Sequence, residues 1–408
     1  MVNVGANVGA NAGADAGIEQ DGRAAPVLQL LLFELDRPAG KGPDGLSSRS
    51  RTNTVGLYDI APRFVFFPGR LGGDDLTERG EARTDKPIDR EFQFRGQTFN
   101  LTLKPAFIRR KVRTDEDGQG GPQTVDEWAI VFPGEREQIV EHVIRRLATE
   151  RARLWLDKKE RVNLRFTLYE VQRELERVKR TLSSTEIKEA LTILHQSFVE
   201  IRAKGKGGML ELSSTVFPEL AFRSENPEIA ESYLQFNSLV ANSIRSMSFR
   251  MMSYGWLMRF KSPVSRWLYN ILTLEYETKP WDEPTLMHAR AIIRDSGMNA
   301  LSRPRDTFRA VRDAVVALQD EGILQSVEIE KVMEGRRLAD EIYTMVPSEA
   351  FLKEIEAAMR MAESNANEFE QIASDMIDTS GFVRVEPPAA AALRRRRPAA
   401  IGGGKAAW

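Results

Sequence analysis

The chain contains no cysteine. That removes thiolate nucleophiles, disulfide staples and every zinc site that needs sulfur, and it suits a reducing compartment, so a cytoplasmic location is expected. Histidine is nearly absent as well. His142, His195 and His288 are the whole set, and no two are close enough to share a helix face or a strand, as local metal motifs require. Long apolar runs are missing too: the longest, Val27 to Phe33, contains Gln29 and falls far short of the ~20 residues that cross a bilayer. Neither a membrane span nor a membrane partner is expected. No Lys or Arg precedes Arg23, so the head lacks the basic start of a secretory signal. An excess of one charge sign is also lacking: 58 Lys plus Arg face 59 Asp plus Glu, a formal net charge of −1, which excludes a uniformly basic coating.

What is present is a chain of 408 residues, 42% of them hydrophobic. At about 100 to 200 residues per domain this makes two or three domains with real cores. Residues 1–50 are rich in Gly, Ala, Ser, Pro and Asn, a composition that leaves a disordered N-terminal segment in which only Val27 to Leu35 has the apolar content to fold. Residues 51–134 read as a small β-rich region. Phe64 to Phe67 is a candidate strand; Phe92 and Phe94, a turn at Gly96, then Phe99, Leu101 and Leu103 alternate as a hairpin; Glu127 to Phe132 ends at Pro133-Gly134.

A first unit is expected over 135–247. Ile139, Val140, Val143, Ile144 and Leu147 mark one face of a helix from Glu135 to about Leu156, expected to pack on the hairpin. A strand over Val162 to Phe166 follows. Thr167-Leu-Tyr-Glu170 and Ser183-Ser-Thr-Glu186 each fit a capping box, so helices should start at Leu168 and Ser184. Phe198 to Ile201 and Met209 to Leu212 then flank the glycine-rich basic turn Lys204 to Gly208. Strand, two helices and a two-stranded wing make a winged helix.

The same order recurs in a second unit, 248–350, after a strand and helix at about Tyr233 to Ile244. Ser262-Pro263 opens a helix with Pro at its first position. Leu286 to Arg294 reads as a short helix, Gly297 to Pro304 as a turn, and Arg305 to Asp320 as a long helix with Phe308, Val311, Val315 and Leu318 inward and Gly322 as its stop. Ile323 to Ile329 and Ala339 to Met345 flank a tip with Lys331, Arg336 and Arg337. Residues 351–408 form a C-terminal helix and a disordered basic tail carrying Arg394 to Arg397. The expected fold is therefore α+β, mainly helical, with tandem winged helices behind a small β-rich region and disordered ends.

Base reading requires Arg, Lys or small polar groups on a helix in the major groove, with further cations on the phosphates. The second long helix fits. Arg303, Arg305, Arg309 and Arg312 stand against a single acid, Asp306, and Arg305, Arg309 and Arg312 share one face, with Thr307 beside them. A solvated basic face is the bland alternative. In the first unit Ser184, Thr185, Lys188 and Thr192 are placed for DNA, with His195 on the face of Lys188 and Thr192, although Glu186 and Glu189 add negative charge and leave a dimer interface open. Arg202, Lys204 and Lys206 on its wing suit backbone phosphates. Trp256 and Trp267 sit among apolar residues at helical spacing and read as core.

Enzyme signatures are missing. Gly40-Lys41-Gly42 and Gly205-Lys206-Gly207 lack the Ser or Thr that completes a phosphate loop, His288-Ala-Arg290 has the wrong spacing for a tyrosine recombinase, and Asp115 to Asp117 read as solvated loop. No catalytic role, metal or cofactor is expected.

From 135 to 350 the chain resembles the tandem winged-helix replication initiator (Rep) proteins of bacterial plasmids. The resemblance rests on Phe166-Thr-Leu-Tyr-Glu-Val171 leading into Ser184 to Phe198, on Ser262-Pro-Val-Ser-Arg-Trp-Leu-Tyr-Asn-Ile-Leu272, and on Arg305-Asp-Thr-Phe308 through Gly322-Ile-Leu324. It implies binding to repeated sites in double-stranded origin DNA, help in opening the adjacent duplex, recruitment of the host initiator and replicative helicase, and repression of the protein's own promoter as a homodimer in equilibrium with monomer. In the family the second unit makes strong base contacts, which map here onto Arg305, Thr307, Arg309 and Arg312. The competing classes are a winged-helix repressor on one inverted repeat and a nonspecific nucleoid protein. For residues 55–133 a dimer surface and a partner-docking surface are equally compatible. Lys206→Ala is expected to weaken all duplexes alike and to reduce the slope of log K against log salt by about one unit; an unchanged slope would remove that wing from the interface.

Overall fold

The computed structural model describes residues 51–66, 86–114, 123–149, 154–157, 159, 161–205, 208–223, 230–245, 250–301, 303–360 and 362–363. The head with Val27 to Leu35, Lys206, and the tail with Arg394 to Arg397 lie outside them. The described chain is mixed α/β, and its strands form five sheets, more sheet than a mainly helical chain was expected to carry.

The N-terminal hairpin forms where the alternation placed it. Strands β2 (Ile88–Phe94) and β3 (Gln97–Lys104) join through Arg95 and Gly96, whose φ values of 51° and 73° match the primed turn that suits strand twist. Phe92 stacks on Phe99 across the ladder, centroids 5.3 Å apart. The partner of β3 is remote: it pairs with β8 (Phe198–Gly205), which pairs with β9 (Gly208–Thr215), giving one four-stranded sheet, β2-β3-β8-β9. The hairpin expected as the first unit's wing is thus continuous with the N-terminal β region. A separate ribbon, β4 (Ala106–Thr114) with β5 (Gln123–Val131), lies against the helix that starts at Ser184.

Both capping boxes form. Glu170 N–H donates to Thr167 Oγ1 at 3.1 Å and Thr167 N–H to Glu170 Oε2 at 2.8 Å, starting α3 (Leu168–Arg177); the Ser183 and Glu186 pair, at 3.2 and 2.7 Å, starts α4 (Ser184–Gln196). The helix expected to reach Leu156 stops at Leu147, as α2 (Glu135–Leu147), because Leu154-Trp-Leu156 is drawn instead into a strand, β6, beside β7 (Val162–Phe166). α2 packs on α3, α4 and β1 (Arg51–Thr54), not on the hairpin. β7 joins β6 and β11 (Ser232–Gln235) rather than the wing, so the first unit's sheet is split in two.

In the second half α7 (Pro263–Glu275) opens on Ser262, whose Oγ accepts from Val264 N–H at 3.2 Å. Of the expected helix over Leu286 to Arg294, the first residues belong to a strand, β13 (Thr285–His288), and the helix, α8, covers Ala289–Ser296. The cause is register: Thr285 to His288 ladder onto Met345 to Ile342. Gly297 (φ +76°) ends α8; α9 (Pro304–Asp320) starts with Pro at its first turn; Gly322 (φ +77°) follows its end. The hairpin β14 (Leu324–Glu334) and β15 (Arg337–Pro347) completes a sheet ordered β13-β15-β14.

Two large cores result. One gathers Leu268, Leu272, Ile292, Val311 and Val315 with Phe92, Leu103 and Ile201 of the N-terminal sheet. The other gathers Val140, Ile144, Phe166, Val171, Leu191 and Leu194. The strand expected over Phe64 to Phe67 does not form within the described residues. Phe64 and Phe66 enter the second core while Val65 enters the first, so this segment runs extended between the two, with one bridge from Phe66 to Met298. Trp267 is buried as expected and donates from Nε1 to Ile60 O at 3.1 Å.

Beside that segment lies a buried ionic cluster. Arg145 Nη1 reaches both Asp59 oxygens at 2.7 Å, and Arg63 grips Glu141 with Nη1 at 2.5 Å and Nη2 at 3.0 Å. Burial opposes the Asp59 charge, but Arg145 and Arg63 outweigh it and hold the carboxyl below its usual range. His142, packed against this cluster, has neither ring nitrogen hydrogen-bonded among the described residues, and burial pushes it down to about 3.

A group whose folded pKa is depressed below an unfolded value near 6.5 takes its proton first in the unfolded chain. Stability should therefore fall as pH drops from about 6.5 toward 3. His142→Phe is expected to flatten urea-derived stability between pH 6 and 5 by up to about 1.4 kcal/mol per pH unit; equal slopes in both proteins would show that His142 is not buried neutral.

Candidate nucleic-acid interface

The N-terminal half of α9 is the most cationic exposed surface on a helix of the second half. Phe308, Val311, Val315 and Leu318 fix its inner face, which leaves Arg303, Arg305 and Arg309 exposed. Arg309 Nη2 lies 2.7 Å from Asp306 Oδ1, with the Arg309 side chain 66% exposed. An i,i+3 pair this open contributes little to stability, so phosphate or a base edge can replace Asp306 as the partner. The helix start adds its own partial positive charge.

Two of the expected contacts change role. Thr307 is buried, at 3% exposure; its Oγ1 accepts from Leu301 N–H at 2.9 Å and tethers the turn before α9, so it is not placed to read bases. Its position beside the arginines in sequence concealed this, because i+2 on a helix turns to another face. Arg312 is half-buried and bonded to Glu341, which is fully buried and also accepts from Tyr343 Oη at 2.7 Å. Burial and the adjacent Glu341 charge raise the Tyr343 pKa, so the phenol stays a donor. Arg312 therefore fastens α9 to β15, and the partner that claims it is 29 residues away.

The hairpin beside α9 differs from a uniformly basic wing. Gly335, at φ +62°, forms its turn with Arg336, and Arg336 and Arg337 are exposed there. Lys331 is not at the tip: it lies within β14, across the ladder from Glu341. Glu328, Glu330 and Glu334 are exposed along the same strand, so cations are concentrated at the turn. At its base, Asp340 accepts from Arg290 N–H at 3.1 Å and lies 3.0 Å from His288 Nδ1, while Arg290 Nε donates to Ala339 O at 2.8 Å. These contacts clamp β15 to the start of α8. Sequence reading missed the clamp because its two sides are 50 residues apart.

In the first half α4 buries Ile187, Ala190, Leu191 and Leu194 and leaves Thr185 and Lys188 exposed, with Ser184 and Thr192 partly so. Thr192 Oγ1 donates to Lys188 O at 2.8 Å. The two acids that cast doubt on this face are both engaged: Glu186 in the capping box, Glu189 with Arg110 and Arg136, each at 2.9 Å. His195 Nδ1 lies 2.6 Å from Phe217 O and acts in packing. On the β8–β9 hairpin, Arg202 pairs with Glu200 at 2.8 Å and donates to Thr102 Oγ1 at 3.3 Å. Lys204 pairs through its backbone with Met209.

Among the described residues no cluster of His, Asp or Glu could hold a metal ion, and no helix is long and apolar enough to cross a membrane. Neither a family model nor a curated protein matches the chain. Among solved structures it is similar to domains 2 and 3 of RctB, crystallised as the selenomethionine derivative, with a TM-score of 0.41 at 9% identity over 72% of this chain and 96% of that one. A second crystal structure of RctB domains 2–3 gives 0.37 at 7% identity, over 67% and 96%. The Pi initiator protein in complex with iteron DNA gives 0.33 at 13% identity, over 46% and 82%. Likeness at this level leaves the functional argument to the chain's own geometry.

The two arginines of α9 should separate cleanly. Arg309→Ala is expected to leave thermal stability within about 0.5 kcal/mol of the parent, whereas Arg312→Ala should cost about 1 to 3 kcal/mol by stranding Glu341. Equal melting curves for the two variants would mean that the Arg312 contact carries no structural weight.

Proposed function

We propose that this protein is a sequence-specific DNA-binding replication initiator of the plasmid Rep type, built on two winged-helix units. The observation that carries the reading is the exposed pair Arg305 and Arg309 on the N-terminal half of α9, a helix anchored from behind by Arg312, Glu341 and Tyr343. A helix that reads a major groove does so with its N-terminal residues, and rigid seating makes a bidentate arginine contact selective. The turn arginines Arg336 and Arg337 and the α4 residues Thr185, Lys188 and Thr192 supply further contacts. Two such units on one chain suit an extended site rather than a single half-site. On this reading binding energy from several adjacent repeats drives bending and opening of neighbouring duplex, without bond-making chemistry, metal or cofactor. The host initiator and helicase act on the opened DNA, and a dimer in equilibrium with monomer represses the protein's own promoter in the cytoplasm.

A nuclease footprint across the DNA flanking the protein's own gene, at two salt concentrations, tests this. Several evenly spaced direct repeats are expected, and Arg309→Ala should lose about 1 to 3 kcal/mol on those repeats with a smaller loss on random duplex. A single protected inverted repeat would instead assign a repressor, and no protection at either salt would end the reading.

A further inference from the structure

Strand β14 is the outer strand of its sheet: among the described residues it ladders with β15 on one side and with nothing on the other. An edge of this kind offers a row of backbone donors and acceptors to a further strand. Residues 328–334 are exposed throughout. Over the regular stretch 326–332, Glu328, Glu330 and Val332 lie opposite Thr344, Ile342 and Asp340 on one face, while Val327, Ile329 and Lys331 lie opposite Met345, Tyr343 and Glu341 on the other. Ile329 is 37% exposed and Val332 36%, so each face of the edge couples an apolar group to charge.

We infer that the open edge of β14 is the docking site for a strand from this chain's own C-terminal region, Phe382-Val383-Arg384-Val385, added by β-augmentation. That run lies beyond the described residues. In sequence it is the β-prone run of residues 364–408, bracketed by Gly381 and by Pro387-Pro388. Its pattern fits the edge: an antiparallel register with Arg384 opposite Glu328 sets Val383 opposite Ile329, Val385 opposite Val327 and Phe382 diagonal to Val332. Its reach suffices as well. The Ser348 backbone N–H donates to Ile323 O at 2.9 Å and the Ser348 hydroxyl to Gly322 O at 2.6 Å, so the C-terminal region leaves from the base of β14 itself. The helix over 349–360 then rises about 18 Å, and residues 364–380 span up to about 55 Å on the way back. The same glutamates disfavour other occupants. A second copy paired edge to edge sets Glu328 and Glu330 against their own counterparts, and a polyanion meets two carboxylates. The inference stands apart from the duplex reading, because the edge of β14 is not the exposed face of α9 and its test contains no DNA.

Hydrogen exchange of the full-length protein, followed by mass spectrometry on peptides covering 325–334 and 381–387, tests it. Both peptides are expected to be protected in the parent. Val383→Pro, which removes a ladder donor from the docked strand, should speed exchange over 325–334 about tenfold or more while peptides from α9 and β15 keep parental rates. Arg384→Glu should speed it about fivefold, and adding Glu328→Lys should bring it back within about threefold of the parent, a rescue that a loss of β14 packing would not give. Because the chain has no cysteine, Glu328→Cys combined with Arg384→Cys supplies an independent readout: oxidation should join the two positions within one chain. Parental rates over 325–334 in Val383→Pro, free-peptide rates over 381–387 in the parent, or a disulfide formed between two chains would each overturn the inference while leaving duplex recognition standing.

Discussion

The arrangement depends on a buried exchange of charge between the segment after β1 and helix α2. Asp59 with Arg145 and Glu141 with Arg63 form two opposed pairs in one buried cluster. Removing four charges from water is costly, and the cost is offset only because each guanidinium meets a carboxylate at hydrogen-bonding distance and Asp59 Oδ2 and Glu141 Oε1, already held by arginine, also accept from Thr54, Val55 and Tyr58. No single member can be lost without leaving a stranded ion. The cluster therefore enforces one position of residues 54–63 on α2, and the segment that follows runs between the two cores.

Arg266 extends this constraint. It is fully buried in α7 and reaches Gln138 at 2.9 Å and Glu135 at 2.8 Å, both at the start of α2, and Phe260 O at 2.6 Å. α2 is thereby fixed at one end by α7 and along its length by the N-terminal segment. The β2–β3 hairpin adds a second tie, since its apolar face enters the core of the second half while its edge continues into β8 and β9 of the first. The two helix-pair-and-hairpin units are held by shared packing rather than by a linker, so α4 and α9 keep a fixed relative position.

Electrostatics on the exposed faces follows the same logic of engagement. Several acids that would repel a polyanion are already committed: Glu189 to Arg110 and Arg136, Glu186 to its capping box, Glu341 to Arg312 and Tyr343. Among the exposed cations, Arg303, Arg305 and Arg309 lie on α9 and Arg336 and Arg337 at the turn of its hairpin, whose β14 strand also exposes Glu328, Glu330 and Glu334. A chain with no net positive charge can in this way present a locally cationic surface, because neutralisation is decided pair by pair rather than by the total.

The sequence alone determined what short-range chemistry controls. The Thr167 and Ser183 boxes, the turn at Gly96, Pro at the first turn of α7, and the outward face of Arg305 and Arg309 on α9 all act within a few residues and were legible as such. What lay beyond reach involved partners far apart in the chain: the pairing of β3 with β8, the diversion of Leu154 to Leu156 into a strand, the strand at Thr285, the burial of Thr307 and the capture of Arg312 by Glu341. Those outcomes were decided by tertiary structure, because a strand edge or a buried charge takes whichever remote group satisfies it, and a helix period says which face turns inward but not what waits there.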